Sequence, residues 1–215
     1  MATRRILMSA LLLLPLCSVA KSAQPLQQIP PAYHQIAAAA RVPAESLYSL
    51  ALTESSRRLP YGDRPWPWTI NVAGKGYRFE TREAAWQALL QFVRKYPLKR
   101  IDVGIAQVNL GWNGHLFTSF YDAFDPYTNL RVAANILRTC YEASPGSWIK
   151  AAGCYHHPAG GKAAATYIAI VRRKLDTLAP FQQAQQAASD TQYLMPMPLK
   201  GVALASNQLT WIEPK

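Results

Sequence analysis

Helical spacing dominates the pattern of apolar and polar positions. Leu47, Leu50, Ala51 and Glu54 fall at i, i+3, i+4 and i+7. This predicts one face of a helix that begins at Pro43 and carries Glu45 in its first turn. Ahead of it, Ile36 to Arg41 reads as a short alanine-rich helix. Trp86, Leu89, Leu90 and Val93 mark a third helix, capped by Thr81 and stopped near Pro97. Asp125-Pro126 opens another, carrying Leu130, Ala133, Ala134, Leu137 and Tyr141. Ser147 starts one through Trp148, Ala151 and Tyr155. The last bears Tyr167, Ile170, Val171, Leu175 and Leu178 and ends at Pro180.

The intervals read differently. Arg57 to Pro67 breaks helix with three prolines and a glycine. Trp68 to Val72 and Tyr77 to Phe79 are β-prone and separated by Ala73-Gly-Lys-Gly76, which predicts a small hairpin. Ile101 to Trp112 reads as a glycine-punctuated loop. Beyond Pro180 the periodicity is lost, through a Gln/Ala/Ser-rich run and then Met195-Pro-Met-Pro198. The expected fold is therefore mainly α, a helical bundle with one small β-hairpin insert. Its globular part covers residues 30–179, with a linker at 21–29 and a flexible tail at 180–215.

The N-terminus changes the context. Arg4 and Arg5 precede an apolar run from Ile6 to Leu16, and Ser18-Val-Ala20 places small residues at the −3 and −1 positions of a cleavage site. Residues 1–20 are thus expected to be a secretory signal, the apolar run being about 16 Å long as a helix and too short for a bilayer core of about 30 Å. Export leads to a periplasmic location with no stable membrane span after cleavage. Cys17 leaves with the signal, and Cys140 and Cys154 remain as an even pair. They are either bridged, closing a loop of about 15 residues and contributing about 3 kcal/mol, or two buried thiols; the bridge suits an oxidising compartment.

With 23 Lys and Arg against 12 Asp and Glu, the chain of 215 residues carries a formal charge of +11. Such a charge suits an anionic cell wall or phospholipid heads, and export argues against nucleic acid. No phosphate-binding glycine loop, G-x-S-x-G elbow or H-E-x-x-H is present. No cofactor or metal is expected: His156 and His157 are adjacent, and on a helix their side chains diverge by about 100°. Glu54 is the most informative carboxylate. On an apolar helix face, burial penalises its charged form and suits it to general-acid work, but Arg57 and Arg58 are equally placed to pair with it as a surface glutamate. Trp66, Trp68 and Tyr77 are either core or an aromatic surface for sugar rings.

Several segments, taken in order, resemble the soluble lytic transglycosylase (SLT) domain, which has a lysozyme-like fold. Ala51-Leu-Thr-Glu54-Ser55 resembles the helix-end Glu-Ser motif of the family's catalytic acid. Gly104-Ile-Ala-Gln107-Val-Asn109 resembles its Gly-Leu-Met-Gln loop, in the variant that continues to Ile-Asn and then Trp, here Trp112. Asn129-Leu-Arg-Val-Ala-Ala134 resembles the family's Asn-containing helix, Ala151-Ala-Gly-Cys-Tyr155 its Ala-x-Tyr-Asn stretch, and Tyr167 with Val171 its closing Tyr helix. The resemblance covers about Ile36 to Val171 and implies an α+β, lysozyme-like arrangement of helices around a cleft.

It implies that Glu54 is the catalytic acid of a peptidoglycan lytic transglycosylase and that Tyr155 is the hydroxyl partner orienting it. It implies further that Gln107, Asn109 and Tyr167 bind glycan strands, that Ser55 steadies the helix end or an acetamido group, and that Asn129 shapes the cleft. The Trp112 variant and the stretch Arg64 to Gly76 are similar to small specialised members of conjugation and secretion systems, whose components are then the expected partners. Two departures stand out. Ala106 replaces a methionine, which widens the cleft floor or removes a sugar contact, and His156 replaces the asparagine after the family tyrosine. The long interval between Glu54 and Gly104 suggests a lid or extra cleft wall. Asp63 and Asp102 keep open a water-using lysozyme, and a wall-binding assembly protein without catalysis is the other alternative.

Overall fold

The computed structural model describes residues 26–180. The expected signal, Cys17, most of the linker and the tail beyond residue 180 lie outside the described residues. Helix α1 (Pro31–Ala40) starts five residues earlier than the alanine run suggests, with Pro31 in its first turn, and Arg41 closes it in the left-handed region. Helix α2 (Ala44–Ser55) follows, with Pro43 as its cap. Leu47, Leu50, Ala51 and Leu52 are fully buried, because α2 packs against α1, α5 (Pro126–Ala143), α6 (Trp148–His156) and α7 (Gly161–Leu175) at once. A helix enclosed on several sides loses the polar face that surface helices keep. α2 is therefore the central post of the domain.

The segment expected as a helix breaker is a hairpin of its own. Strands β1 (Ser56–Leu59) and β2 (Gly62–Pro65) pair antiparallel from Ser56 against Pro65 to Leu59 against Gly62. Pro60 lies in the turn and Pro65 at a strand end, where a missing N–H does little harm. The expected hairpin is present as β3 (Thr69–Val72) and β4 (Lys75–Arg78). Its turn is tighter than the sequence suggested: Ala73 and Gly74 both adopt positive φ, 54° and 89°, which matches the twist of the paired strands.

This hairpin is not a lid. β3 also pairs with β5 (Ile101–Val103), and β5 with β6 (Val108–Asn109), giving a four-stranded antiparallel sheet in the order β4-β3-β5-β6. The interval read as a loop thus holds two strands, followed by the four-residue helix α4 (Leu110–Asn113). Strands of three and two residues are too short to show an alternating pattern. Helix α3 (Arg82–Phe92) is capped by Thr81, whose hydroxyl accepts from Ala84 N, and it ends before Pro97. Trp66 and Trp68 are buried, with the Trp66 indole donating to Phe79 O at 2.6 Å, so this pair belongs to the core rather than to a sugar-binding surface.

The remaining helices follow their predicted caps. Asp125 accepts from Thr128 N at the start of α5, and Ser147 from Lys150 N at the start of α6. Cys140 of α5 and Cys154 of α6 form a disulfide with Cα atoms 5.8 Å apart. Part of the expected linker is fastened to the domain. Gln27 exchanges backbone hydrogen bonds with Thr177 and Ala179, and its side chain donates to Tyr48 Oη and Asp63 O. Among the described residues no helix is long and apolar enough to cross a membrane.

Candidate active site

Glu54 is the next-to-last residue of α2, carried to a cleft by the helix that fills the core. Its carboxyl accepts a hydrogen bond from the Tyr167 hydroxyl of α7 at 2.6 Å. Burial pushes the Glu54 pKa up to about 8; the Tyr167 bond pulls the other way, and the nearby Asp102 adds to the rise. The end of a helix is also its negative pole, which further disfavours a carboxylate there. Arg57 and Arg58 do not pair with it. Arg57 turns instead to Glu80, just past β4, and Arg58 to Asp63 across the β1–β2 hairpin. The acid is held protonated, at the point where two cavities meet.

One cavity, of about 790 Å³, is lined by Asn71, Asp102, Gln107, Trp112 and Tyr155 together with Glu54 and His156. The other, of about 580 Å³, reaches along α7 past Lys162, Thr166 and Ile170 and again includes Glu54 and His156. Glu54 and His156 therefore stand between two spaces. Trp112 is 63% exposed at the rim of the larger cavity, with the Lys99 ammonium 4.0 Å from its ring centre. Burial raises the Asp102 pKa, against a lowering hydrogen bond from Asn109. Asp63 is elsewhere: it pairs with Arg58 and Lys174 and lines a different cavity beside β1 and β2.

The structure redistributes several expected roles. The Tyr155 hydroxyl donates to Ala106 O at 2.8 Å, so the hydroxyl partner of Glu54 is Tyr167, not Tyr155. Ser55 is fully buried, donating to Ile105 O at 2.6 Å and accepting from Trp66 N. It steadies the helix end and is closed to an acetamido group. Asn129 is likewise fully buried. It accepts from Ala106 N and donates to Val103 O and Ala123 O, so it braces the β5–β6 loop from beneath and touches no substrate. The Asn109 side chain caps α4 through Gly111 N and Trp112 N while donating to Lys99 O and Asp102 Oδ1, which leaves its amide no donor for a sugar.

Gln107 lines the larger cavity from an unusual backbone position, φ +50°. Its amide donates to Thr69 O and Gly104 O, and these bonds hold it there. Ala106 is fully buried, so its methyl replaces a core side chain rather than a cleft-floor contact. His156 stacks flat on Tyr167, ring centres 4.3 Å apart and planes 4° from parallel. Asn71 lines the cleft from β3, a position that nothing in a short β-prone run marks as functional.

Residues 79–177 match the family model of the transglycosylase SLT domain. No curated protein and no solved structure matches the chain. The matched stretch holds Asp102, Gln107, Asn129, Tyr155 and Tyr167 but begins after α2, so Glu54 and Ser55 lie before it. The fold closes that gap: Tyr167, inside the match, bonds Glu54, outside it, and Ile105 bonds Ser55. Sequence match, mainly helical architecture and cleft thus coincide, and the match over residues 79–177 supports an SLT-type lytic transglycosylase, a class of enzymes that cleave peptidoglycan.

Proposed function

We propose that Glu54 is the acid and then the base of this peptidoglycan cleavage, at the bond between N-acetylmuramic acid and N-acetylglucosamine. The observation that carries the reading is a half-buried carboxyl, protonated up to about pH 8 and aimed by a 2.6 Å bond from Tyr167, standing where two cavities meet. Glu54 gives its proton to the bridging oxygen, and the C–O bond on the muramoyl side breaks. The substrate's own acetamido oxygen stabilises the anomeric carbon. The Glu54 carboxylate then takes the proton of the muramoyl C6 hydroxyl, whose oxygen closes a 1,6-anhydro ring, and the acid is regenerated without water. Trp112 offers an aromatic platform at the rim for a pyranose ring, and Gln107 lies on the cleft wall.

Asp102 is the observation that favours a second reading. It is a carboxyl in the same cavity, and in a glycosidase a second carboxyl activates water or supports the cation. Mass spectra of sacculi digested by the wild type and by Glu54→Gln separate the alternatives. Anhydromuramoyl products lost in Glu54→Gln support transglycosylation; reducing-end muramic acid alone overturns it in favour of hydrolysis. Retention on the wall without soluble fragments would make the protein a binding module. The apolar leader supports export to the periplasm, and the Trp112 variant with the Arg64–Gly76 stretch supports local wall opening for a conjugation or secretion apparatus. The positive charge suits the carboxylate-bearing wall.

A further inference from the structure

The last turn of α6 fastens three consecutive residues to three different elements. Cys154 is bonded to Cys140 of α5. Tyr155 donates to Ala106 O in the β5–β6 loop. His156 lies flat on Tyr167 of α7, and Tyr167 in turn holds Glu54. The first two attachments fix where the turn sits, and the third transmits that position to the proton donor. A phenol turns about its Cα–Cβ and Cβ–Cγ bonds. A ring stacked on one face removes that freedom and keeps the hydroxyl aimed at the carboxyl.

We propose that His156 is a positioning residue for Glu54, acting through Tyr167, and that its charge state sets the acid-side limit of activity. This rests on the assignment of Glu54 as the acid. Lining the same two cavities as the imidazole are Tyr155 on its own helix, His157 just past that helix, Lys162 and Tyr167 on α7, Glu54 on α2 and Asp102 on β5. Burial and the neighbouring His157 hold His156 below its ordinary pKa, so it is neutral near pH 7. At lower pH an imidazolium forms between the two cavities, where positive charge has to build at the anomeric carbon. A cation there opposes that charge, as a preorganised site of the right sign favours it. The acid itself stays protonated under these conditions, so the lost rate is charge repulsion rather than loss of the proton.

Two variants separate the roles. His156→Phe keeps a flat ring that never charges; His156→Ala removes the ring. We expect kcat on purified sacculi, across about pH 4.5 to 9, to show an acid limb in the wild type that is missing in His156→Phe. At pH 7 His156→Phe stays within about threefold of wild type, whereas His156→Ala loses about tenfold in kcat with little change in KM. An unchanged acid limb in His156→Phe, or wild-type kcat in His156→Ala, overturns the proposal. Both products are scored by mass spectrometry. A wild type that yields only reducing-end muramic acid overturns the transglycosylase chemistry while the His156 comparison stands, since either reaction draws its proton from Glu54. A readout without substrate accompanies it: the ¹³C-carboxyl titration of Glu54 shifts upward in His156→Ala, as the Tyr167 hydroxyl loses its aim and its bond to the carboxylate weakens, and an unmoved titration counts against the proposal.

Discussion

Two groups of polar side chains meet at the end of α2, and they are built in opposite ways. Beneath the β5–β6 loop, Ser55 and Asn129 are fully buried with hydrogen bonds to backbone groups on several elements. At the cleft, Glu54 has one hydrogen bond and a pKa displaced to about 8. Ser55 and Glu54 are neighbours in the chain. The first group holds the loop in place because each of its polar atoms has a backbone partner. The second holds its proton to high pH because its charged form is under-solvated. A site of this kind needs both: an unsatisfied acid is useful only if everything around it is fixed.

The largest way to break the cleft group is Glu54→Gln, which keeps the shape and removes the proton. Activity on sacculi should fall about 10³-fold with little change in circular dichroism. The framework is broken hardest at Gly104. A Cβ there would lie 2.2 Å from Asn129 Nδ2 and 2.7 Å from Ala123 O, at a φ of +85°. Gly104→Ala and Asn129→Ala should each cost about 3 kcal/mol or more in chemical denaturation, the second by stranding Ala106 N, Val103 O and Ala123 O. Reducing the Cys140–Cys154 bridge, with its separation of 14 residues, should cost about 3 kcal/mol and lower activity further, by loosening the turn that carries Tyr155 and His156.

Smaller changes sharpen the contrast. Tyr167→Phe removes a bond that favours the carboxylate, so Glu54 should hold its proton to higher pH while kcat drops about tenfold. A pH–rate profile checks both signs: in the wild type the base-side limb is centred near pH 8, and in Tyr167→Phe it lies higher. The same carboxyl links stability to pH. Its folded pKa is raised above the ordinary 4.5, so its contribution is fully present below that value and is lost as pH rises through about 8. Glu54→Gln, which cannot ionise, should therefore gain stability relative to wild type over that window, seen as a rising difference in Tm.

The sequence was informative where one periodic pattern and one cap sufficed. Thr81, Asp125 and Ser147 cap the helices that their positions predict, and the face of Leu47, Leu50 and Ala51 is buried as its spacing requires. It was silent where pairing is non-local. β5 and β6 exist because β3 lies beside β5, and β1 and β2 because Pro60 falls in a turn, neither of which a short window displays. Role assignments failed for the same reason. The resemblance gave the hydroxyl-partner role to Tyr155, and only the tertiary packing shows Tyr155 bonded to Ala106 O and Tyr167 on the acid instead.

The chain by itself determined its helices, its caps, the cysteine pair and the candidate carboxyl, because each depends on residues a few positions apart or on composition. The tertiary structure alone decided that Trp66 and Trp68 are core, that Asn109 and Asn129 are braces, and that Glu54 is shielded from its arginine neighbours. The physical reason is that a proton affinity is a property of surroundings. Glu54 is partly screened from water and hydrogen-bonded by segments up to 113 residues away, and no local pattern encodes that screening.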